Sequence, residues 1–216
     1  MTTILGSQRR GALPSRLYLI VDPLDTGRDP VALALAMLAA GGRLLQLRLK
    51  GVPTRDLLAV AARLREMTLA AGATFIVNDR ADIALAVGAD GVHLGQEDLP
   101  VEVARQLVGP ERLLGFSTHS EIQLEAARSA GADYLSLGPI FATTSKAAAD
   151  PVIGVQRLRA ARLLVAQPLV AIGGITAATA RAVLDAGADA VSVIAAVVRA
   201  PDVQRATAEL LEVVDS

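Results

Sequence analysis

Asp79 and Asp98 each stand just beyond a short apolar, β-rich run, and between Lys50 and the segment Thr143-Thr144-Ser145-Lys146 they complete a set of acidic, basic and hydroxyl groups. Hard divalent cations prefer oxygen ligands, and Mg2+ is typically held by one or two carboxylates together with substrate phosphates. For either aspartate alone, capping of the helix that follows is the plainer reading. The pair points to a metal through its setting, since two carboxylates between two lysines and three hydroxyls make a clamp for a diphosphate.

A second cluster lies in Gln46-Leu47-Arg48-Leu49-Lys50. Period-two alternation puts Gln46, Arg48 and Lys50 on one face of a strand and Leu45, Leu47 and Leu49 on the other. The leucines must meet helices, so the polar trio is expected to point into the mouth of a closed sheet. Two cations in such a place are costly to desolvate without an accompanying anion. Gly173-Gly174-Ile175-Thr176 and Ile194-Ala195 follow two further apolar runs, where backbone N–H groups and a short helix N-terminus commonly bind phosphate. His93 and His119 are the only histidines and have no partner at metal-ligand spacing. His93 is read as lining a pocket, His119 as structural, and Ser117 as a hydrogen-bonding group with no nucleophilic role.

The elements that must position these groups are legible from a repeated phrase. Ala86-Val-Gly-Ala-Asp-Gly-Val-His-Leu94, Ser129-Ala-Gly-Ala-Asp-Tyr-Leu-Ser-Leu137 and Asp185-Ala-Gly-Ala-Asp-Ala-Val-Ser-Val193 each read as helix end, glycine turn and strand. The whole chain then gives strands near 17–22, 43–49, 73–77, 90–94, 112–116, 133–137, 168–172 and 189–193, separated by helical segments. Eight βα units in 216 residues allow 216/8 = 27 each, enough for a compact α/β single-domain (βα)8 TIM barrel. Residues 1–16 are read as an N-terminal extension and 17–216 as the barrel. A doubly wound sheet is the alternative, but Tyr18-Leu-Ile-Val-Asp-Pro23 replaces the glycine-rich fingerprint it would need after the first strand. The least regular stretch, Phe141 to Asp150, reads as a lid.

Composition agrees. Hydrophobic residues make up 52% of the chain but aromatics only 2%, so the core is built from Ala, Val, Leu and Ile, as in buried parallel strands. A net charge of -1 without a basic stripe excludes nucleic acid as a partner. Cysteine is absent, which removes disulfides and thiolate chemistry. No run is long enough for a membrane span, so a cytoplasmic protein without membrane partners is expected.

Several phrases in one order resemble the thiamine phosphate synthase family from Leu17 to about Asp202: Tyr18-Leu-Ile-Val-Asp22, Gln46-Leu-Arg-Leu-Lys50, Asn78-Asp-Arg80, Gly91-Val-His-Leu-Gly-Gln-Glu-Asp98, Gly115-Phe-Ser-Thr-His119, Asp133-Tyr-Leu-Ser-Leu-Gly-Pro-Ile-Phe141 and Ala171-Ile-Gly-Gly-Ile175. The resemblance implies a transferase that joins hydroxymethylpyrimidine diphosphate to hydroxyethylthiazole phosphate, or its carboxylated form, releasing diphosphate. It also implies roles. Gln46, Leu47, Arg48, Leu49, Lys50 and Ser117 would contact the pyrimidine and its diphosphate, and Asn78 the diphosphate. Asp79 and Asp98 would hold Mg2+. Thr143, Thr144, Ser145 and Lys146 would form the diphosphate loop, and Gly174, Ile194 and Ala195 the thiazole-phosphate site. Lys50, Ser117 and Lys146 would be the catalytic groups.

The chain departs from the family's pattern at Ser145, where a Thr is usual, and at Ala195, where a Ser is usual. The rival readings are a thiazole tautomerase-like paralogue, which carries a His where this chain has Pro139, and a non-catalytic phosphate-binding barrel. The acidic pair favours the synthase over both. A homo-oligomer is left open.

Overall fold

The computed structural model describes residues 13–145 and 150–216. Its elements run β1 (Leu17–Val21), α1 (Pro30–Ala39), β2 (Leu44–Leu47), α2 (Thr54–Ala71), β3 (Thr74–Asn78), α3 (Ala81–Ala86), β4 (Gly91–Leu94), α4 (Val101–Val108), β5 (Leu113–Thr118), α5 (Glu121–Ala127), β6 (Tyr134–Leu137), α6 (Gly154–Arg162), β7 (Leu169–Ile172), α7 (Ala177–Asp185), β8 (Ala190–Val193), α8 (Ala195–Val198) and α9 (Val203–Asp215). The strands are parallel and close in sequence order, β1 pairing with β8. This is the (βα)8 barrel expected from the sequence. Residues 13–16, read as part of an extension, already join it: Leu13 packs on the barrel interior and Arg16 O accepts from Val191 N at 2.9 Å.

Alternation along the strands divides the apolar residues between two clusters. Leu17, Leu19 and Val21 of β1 and Leu45 and Leu47 of β2 face the helices in the larger cluster. Tyr18, Leu44, Ile76, Tyr134, Val170 and Ala190 point inward and fill the barrel floor. Side chains nearer the C-terminal ends of the strands are polar: Gln46, His93, Ser136 and Ser192 are all buried.

The repeated phrase has a physical function at the opposite, N-terminal face. Gly88, Gly131 and Gly187 adopt φ of 64°, 91° and 103°, the left-handed region that ends a helix at little cost only for glycine. The aspartate two residues later then takes two donors. Asp90 accepts from Phe75 N and Arg65, both at 2.8 Å. Asp133 accepts from Leu114 N at 2.8 Å and Arg105 at 2.5 Å. Asp189 accepts from Leu169 N at 2.7 Å and Arg162 at 2.8 Å. Each clamp thus fastens a helix, the start of the strand after it, and the turn into the next strand. Charge-assisted bonds of this kind are the stronger class.

Candidate active site

A cavity of about 940 Å³ opens at the C-terminal ends of the strands. In parallel barrels this face carries the reacting groups because the βα loops converge there. Of the residues singled out in the sequence, Gln46, Arg48, Lys50, Asn78, Asp79, Asp98, Ser117, Thr143, Thr144, Ser145, Gly174, Ile194 and Ala195 border it. Leu47 and Leu49 do not: Leu47 is buried beneath the helices and Leu49 packs against the same cluster. Lys146 lies outside the described residues, as do 147–149, so the reading of Phe141 to Asp150 as a lid reaches beyond them.

Strand β2 is shorter than expected, ending at Leu47. Gln46 remains inside the barrel, whereas Arg48 and Lys50 belong to the following loop. Each has its own counter-ion. Arg48 pairs with the buried Asp22 at the end of β1, and Lys50 Nζ lies 3.2 Å from Asp79 Oδ2 with 60% of its side chain exposed. The two cations therefore do not require an anionic ligand to be tolerated, which corrects the desolvation argument made from alternation alone.

Neither aspartate of the expected metal pair caps a helix. Arg80 and Pro100 occupy the cap positions of α3 and α4 without side-chain capping bonds. Asp98 Oδ2 instead accepts from Gly95 N at 2.6 Å. Asp79 sits at φ 62°, a backbone conformation uncommon outside glycine, with its N–H bonded to His93 O at 2.8 Å. Burial, and then the Asp98 carboxyl placed against it, raise the Asp79 pKa above the usual carboxylate value, while Lys50 works in the other direction. Two carboxyls held together in this way fit a hard divalent cation, whose charge would relieve their repulsion and whose remaining positions substrate phosphates could fill.

Gly173 and Gly174 have φ of 100° and 64°. A Cβ on Gly174 would lie 2.5 Å from Ala142 O, and one on Gly173 2.5 Å from Pro139. The pair thus lets the loop after β6 pack closely against the turn after β7. Ile194 is the cap residue and Ala195 the first residue of α8, which is only four residues long.

The interior polar groups form a connected set that the sequence reading largely missed. Gln46 Nε2 donates to Tyr18 Oη at 2.7 Å, Tyr18 and Tyr134 hydroxyls lie 2.9 Å apart, Tyr134 Oη is 3.0 Å from His93 Nδ1, and His93 Nε2 is 2.9 Å from Ser117 Oγ. His93 also stacks on Tyr134. Burial lowers the His93 pKa to about 4, opposed in part by the Asp98 charge, and raises both tyrosines above their usual value. A usable signal was present: Tyr18 and Tyr134 are the only tyrosines, both lie in strands, and a buried phenol needs a hydrogen-bond partner. Arg199 was also missed; it donates to Thr144 Oγ1 at 2.9 Å and Asp25 at 3.0 Å, tying the loop after β6 to the end of α8.

The model of the thiamine monophosphate synthase family matches residues 17–197. A thiamine-phosphate synthase of Moorella thermoacetica is 51% identical over 199 residues, 92% of this chain and 95% of that protein. One from Methanoculleus marisnigri is 50% identical over 195 residues, covering 90% and 92%. The solved structure of a thiamine phosphate pyrophosphorylase from Pyrococcus furiosus superposes with a TM-score of 0.85 at 41% identity, over 93% of this chain and 95% of that one.

Proposed function

The chain belongs to the thiamine monophosphate synthase family, a transferase of thiamine biosynthesis, and from that premise we propose that it joins hydroxymethylpyrimidine diphosphate to hydroxyethylthiazole phosphate, or its carboxylated form, with Mg2+ held by Asp79 and Asp98. The observation that carries the metal assignment is the placement of these two carboxyls against each other at the mouth of the cavity, with Lys50 beside them. When bound, Mg2+ supplies positive charge to a leaving diphosphate.

The chain's own groups do the rest. Lys50, whose ammonium is exposed enough to turn from Asp79 toward a ligand, adds a second positive charge at the diphosphate. Asn78 stands at the end of β3 as a further hydrogen-bonding group, and Thr143 to Ser145 offer hydroxyls across the cavity, with Lys146 following them in sequence. Arg48, fixed by Asp22, orients rather than neutralises. Such preorganised charges favour a dissociative departure, in which the C–O bond to diphosphate breaks, the aminopyrimidine stabilises the resulting cation, and the thiazole nitrogen attacks it. No protein nucleophile is needed. The thiazole phosphate would rest on backbone N–H groups near Gly174, Ile194 and Ala195.

Among the described residues no helix is long and apolar enough to cross a membrane. Both substrates incubated with the purified protein and Mg2+ should yield thiamine phosphate, and excess chelator should stop the reaction. Absence of product, or full activity in chelator, would contradict the substrate or the metal assignment respectively.

A further inference from the structure

The polar side chains inside the barrel are joined in an order that has a direction. The Nε2 of Gln46 is a donor only, so Tyr18 Oη accepts from it at 2.7 Å and must send its own proton onward. Tyr134 Oη, 2.9 Å away, receives that proton. Tyr134 then donates to His93 Nδ1 at 3.0 Å, which leaves the imidazole proton on Nε2, and this proton goes to Ser117 Oγ at 2.9 Å. Ser136 Oγ donates to the same oxygen at 3.3 Å.

With the Gln46 amide oriented so that Nε2 faces Tyr18, the opposite direction fails at Tyr18. With Gln46 and Tyr134 both donating to its oxygen, the Tyr18 proton would be buried without an acceptor among the described residues, which is unfavourable. Both lone pairs of Ser117 are therefore filled, and its hydroxyl proton is left for the cavity. At the other end Gln46 spends one N–H on Tyr18, and its side chain borders the cavity with Oε1 as its acceptor. Space for the chain is made by Gly115: a Cβ there would lie 2.1 Å from Tyr134 Cζ and 2.4 Å from His93 Nδ1.

We propose that Tyr18, Tyr134 and His93 are positioning residues that hold Ser117 as an obligate donor and Gln46 as an acceptor, so that the pair reads the edge of an aminopyrimidine. Such an edge presents an amine N–H beside a ring nitrogen, a donor next to an acceptor. A 4-oxo pyrimidine presents the reverse order and would set acceptor against acceptor and donor against donor. The identity of the ligand rests on the synthase reading; the direction of the chain does not.

Long-range nitrogen–proton NMR correlations of the ligand-free protein at about pH 8, above the usual histidine range, test the direction. His93 should carry its proton on Nε2. His119, whose Nδ1 faces the carbonyl oxygen of Gly138 at 3.0 Å, should carry it on Nδ1 and provides an internal reference. The second readout is the ratio of binding constants for the amino and 4-oxo pyrimidine diphosphates, expected to favour the amino form by at least about 100-fold, since a site built for specific hydrogen bonds rejects a mismatched ligand strongly. In Tyr134→Phe the His93 proton is no longer fixed, and that ratio should fall at least about tenfold, whereas a purely structural defect would weaken both ligands alike. Tyr18→Phe breaks the chain one bond earlier and serves if Tyr134→Phe does not fold. An Nδ1–H tautomer at His93 in the wild type, or an unchanged ratio in a folded variant, overturns the proposal. A wild type that shows the expected tautomers but binds neither pyrimidine overturns the ligand assignment and the synthase reading with it, leaving the direction of the chain intact.

Discussion

Acidification from about pH 7 to about pH 4 should remove about 3 kcal/mol of folding free energy through His93 alone. In the unfolded chain its imidazole takes up a proton near 6.5, whereas burial in the native barrel lowers that value to about 4. Between the two, the unfolded state binds a proton that the native state does not. The contribution is fully present above 6.5 and is lost as pH falls toward about 4. Each pH unit in that window is worth at most about 1.4 kcal/mol, and the interval from 6.5 to 4 gives the total. His93 is only 7% exposed, so solvent screening takes little from it. Asp79 acts with the opposite sign, because its raised pKa lets the native state take up a proton first, and Asp25 and Asp82 have lowered values. A His93→Gln variant carries those same carboxyls, so the difference between the two proteins isolates the imidazole. Urea unfolding across this range should show the stability gap between wild type and His93→Gln narrowing by about 3 kcal/mol toward the acid end. Parallel curves would refute the reasoning, because they would mean that His93 titrates alike in the folded and unfolded chains.

Asp79→Asn or Asp98→Asn should lower kcat/KM at least about 100-fold, roughly 2.7 kcal/mol of transition-state stabilisation; a wild-type rate in either variant would dismiss the metal pair. The same Asp79→Asn change should raise the Tm of the protein in chelator at neutral pH, because it removes a carboxylate held beside Asp98, and thermal melts would check it. Ala195→Ser should lower the KM for thiazole phosphate by up to about tenfold and leave kcat nearly unchanged, since a restored hydroxyl would hold the phosphate alike in ground and transition states; steady-state kinetics at saturating pyrimidine diphosphate decides it. Gly115→Ala should destabilise the protein by about 1–3 kcal/mol or more through overpacking against Tyr134 and His93, and an unchanged denaturation midpoint would contradict the packing described.

The barrel was legible because its glycine turns and apolar runs recur: the expected strand near 90–94 is β4 (Gly91–Leu94), and that near 168–172 is β7 (Leu169–Ile172). The cavity residues were legible for a related reason, since polar residues that interrupt apolar runs at strand ends have few other places to go. Arg48 and Lys50 show the limit of such reading. Alternation gave them a common face, but β2 stops at Leu47, and the carboxylates that balance them come from β1 and from the turn after β3, contacts with no local trace in the sequence. The Tyr18–Tyr134 bond joins residues 116 apart in the chain; each tyrosine could be suspected singly, but their meeting depends on closure of the barrel.

The aspartate clamps at the N-terminal face also bear on the order in which the barrel assembles. Their backbone bonds span only 15, 19 and 20 residues, and closing a short loop carries a modest entropy cost. They tie β3 toward β4, β5 toward β6 and β7 toward β8, skipping the junctions between those pairs. Folding by local pairs is therefore favoured early, with each pair fastened before its neighbours are present. The seam between β1 and β8, which joins the two ends of the chain, carries the largest loop-closure cost and should form last. A clamp variant such as Asp133→Asn should accordingly slow refolding more than Asp22→Asn, whose carboxylate serves the mouth of the cavity, and stopped-flow refolding of the two would register the difference.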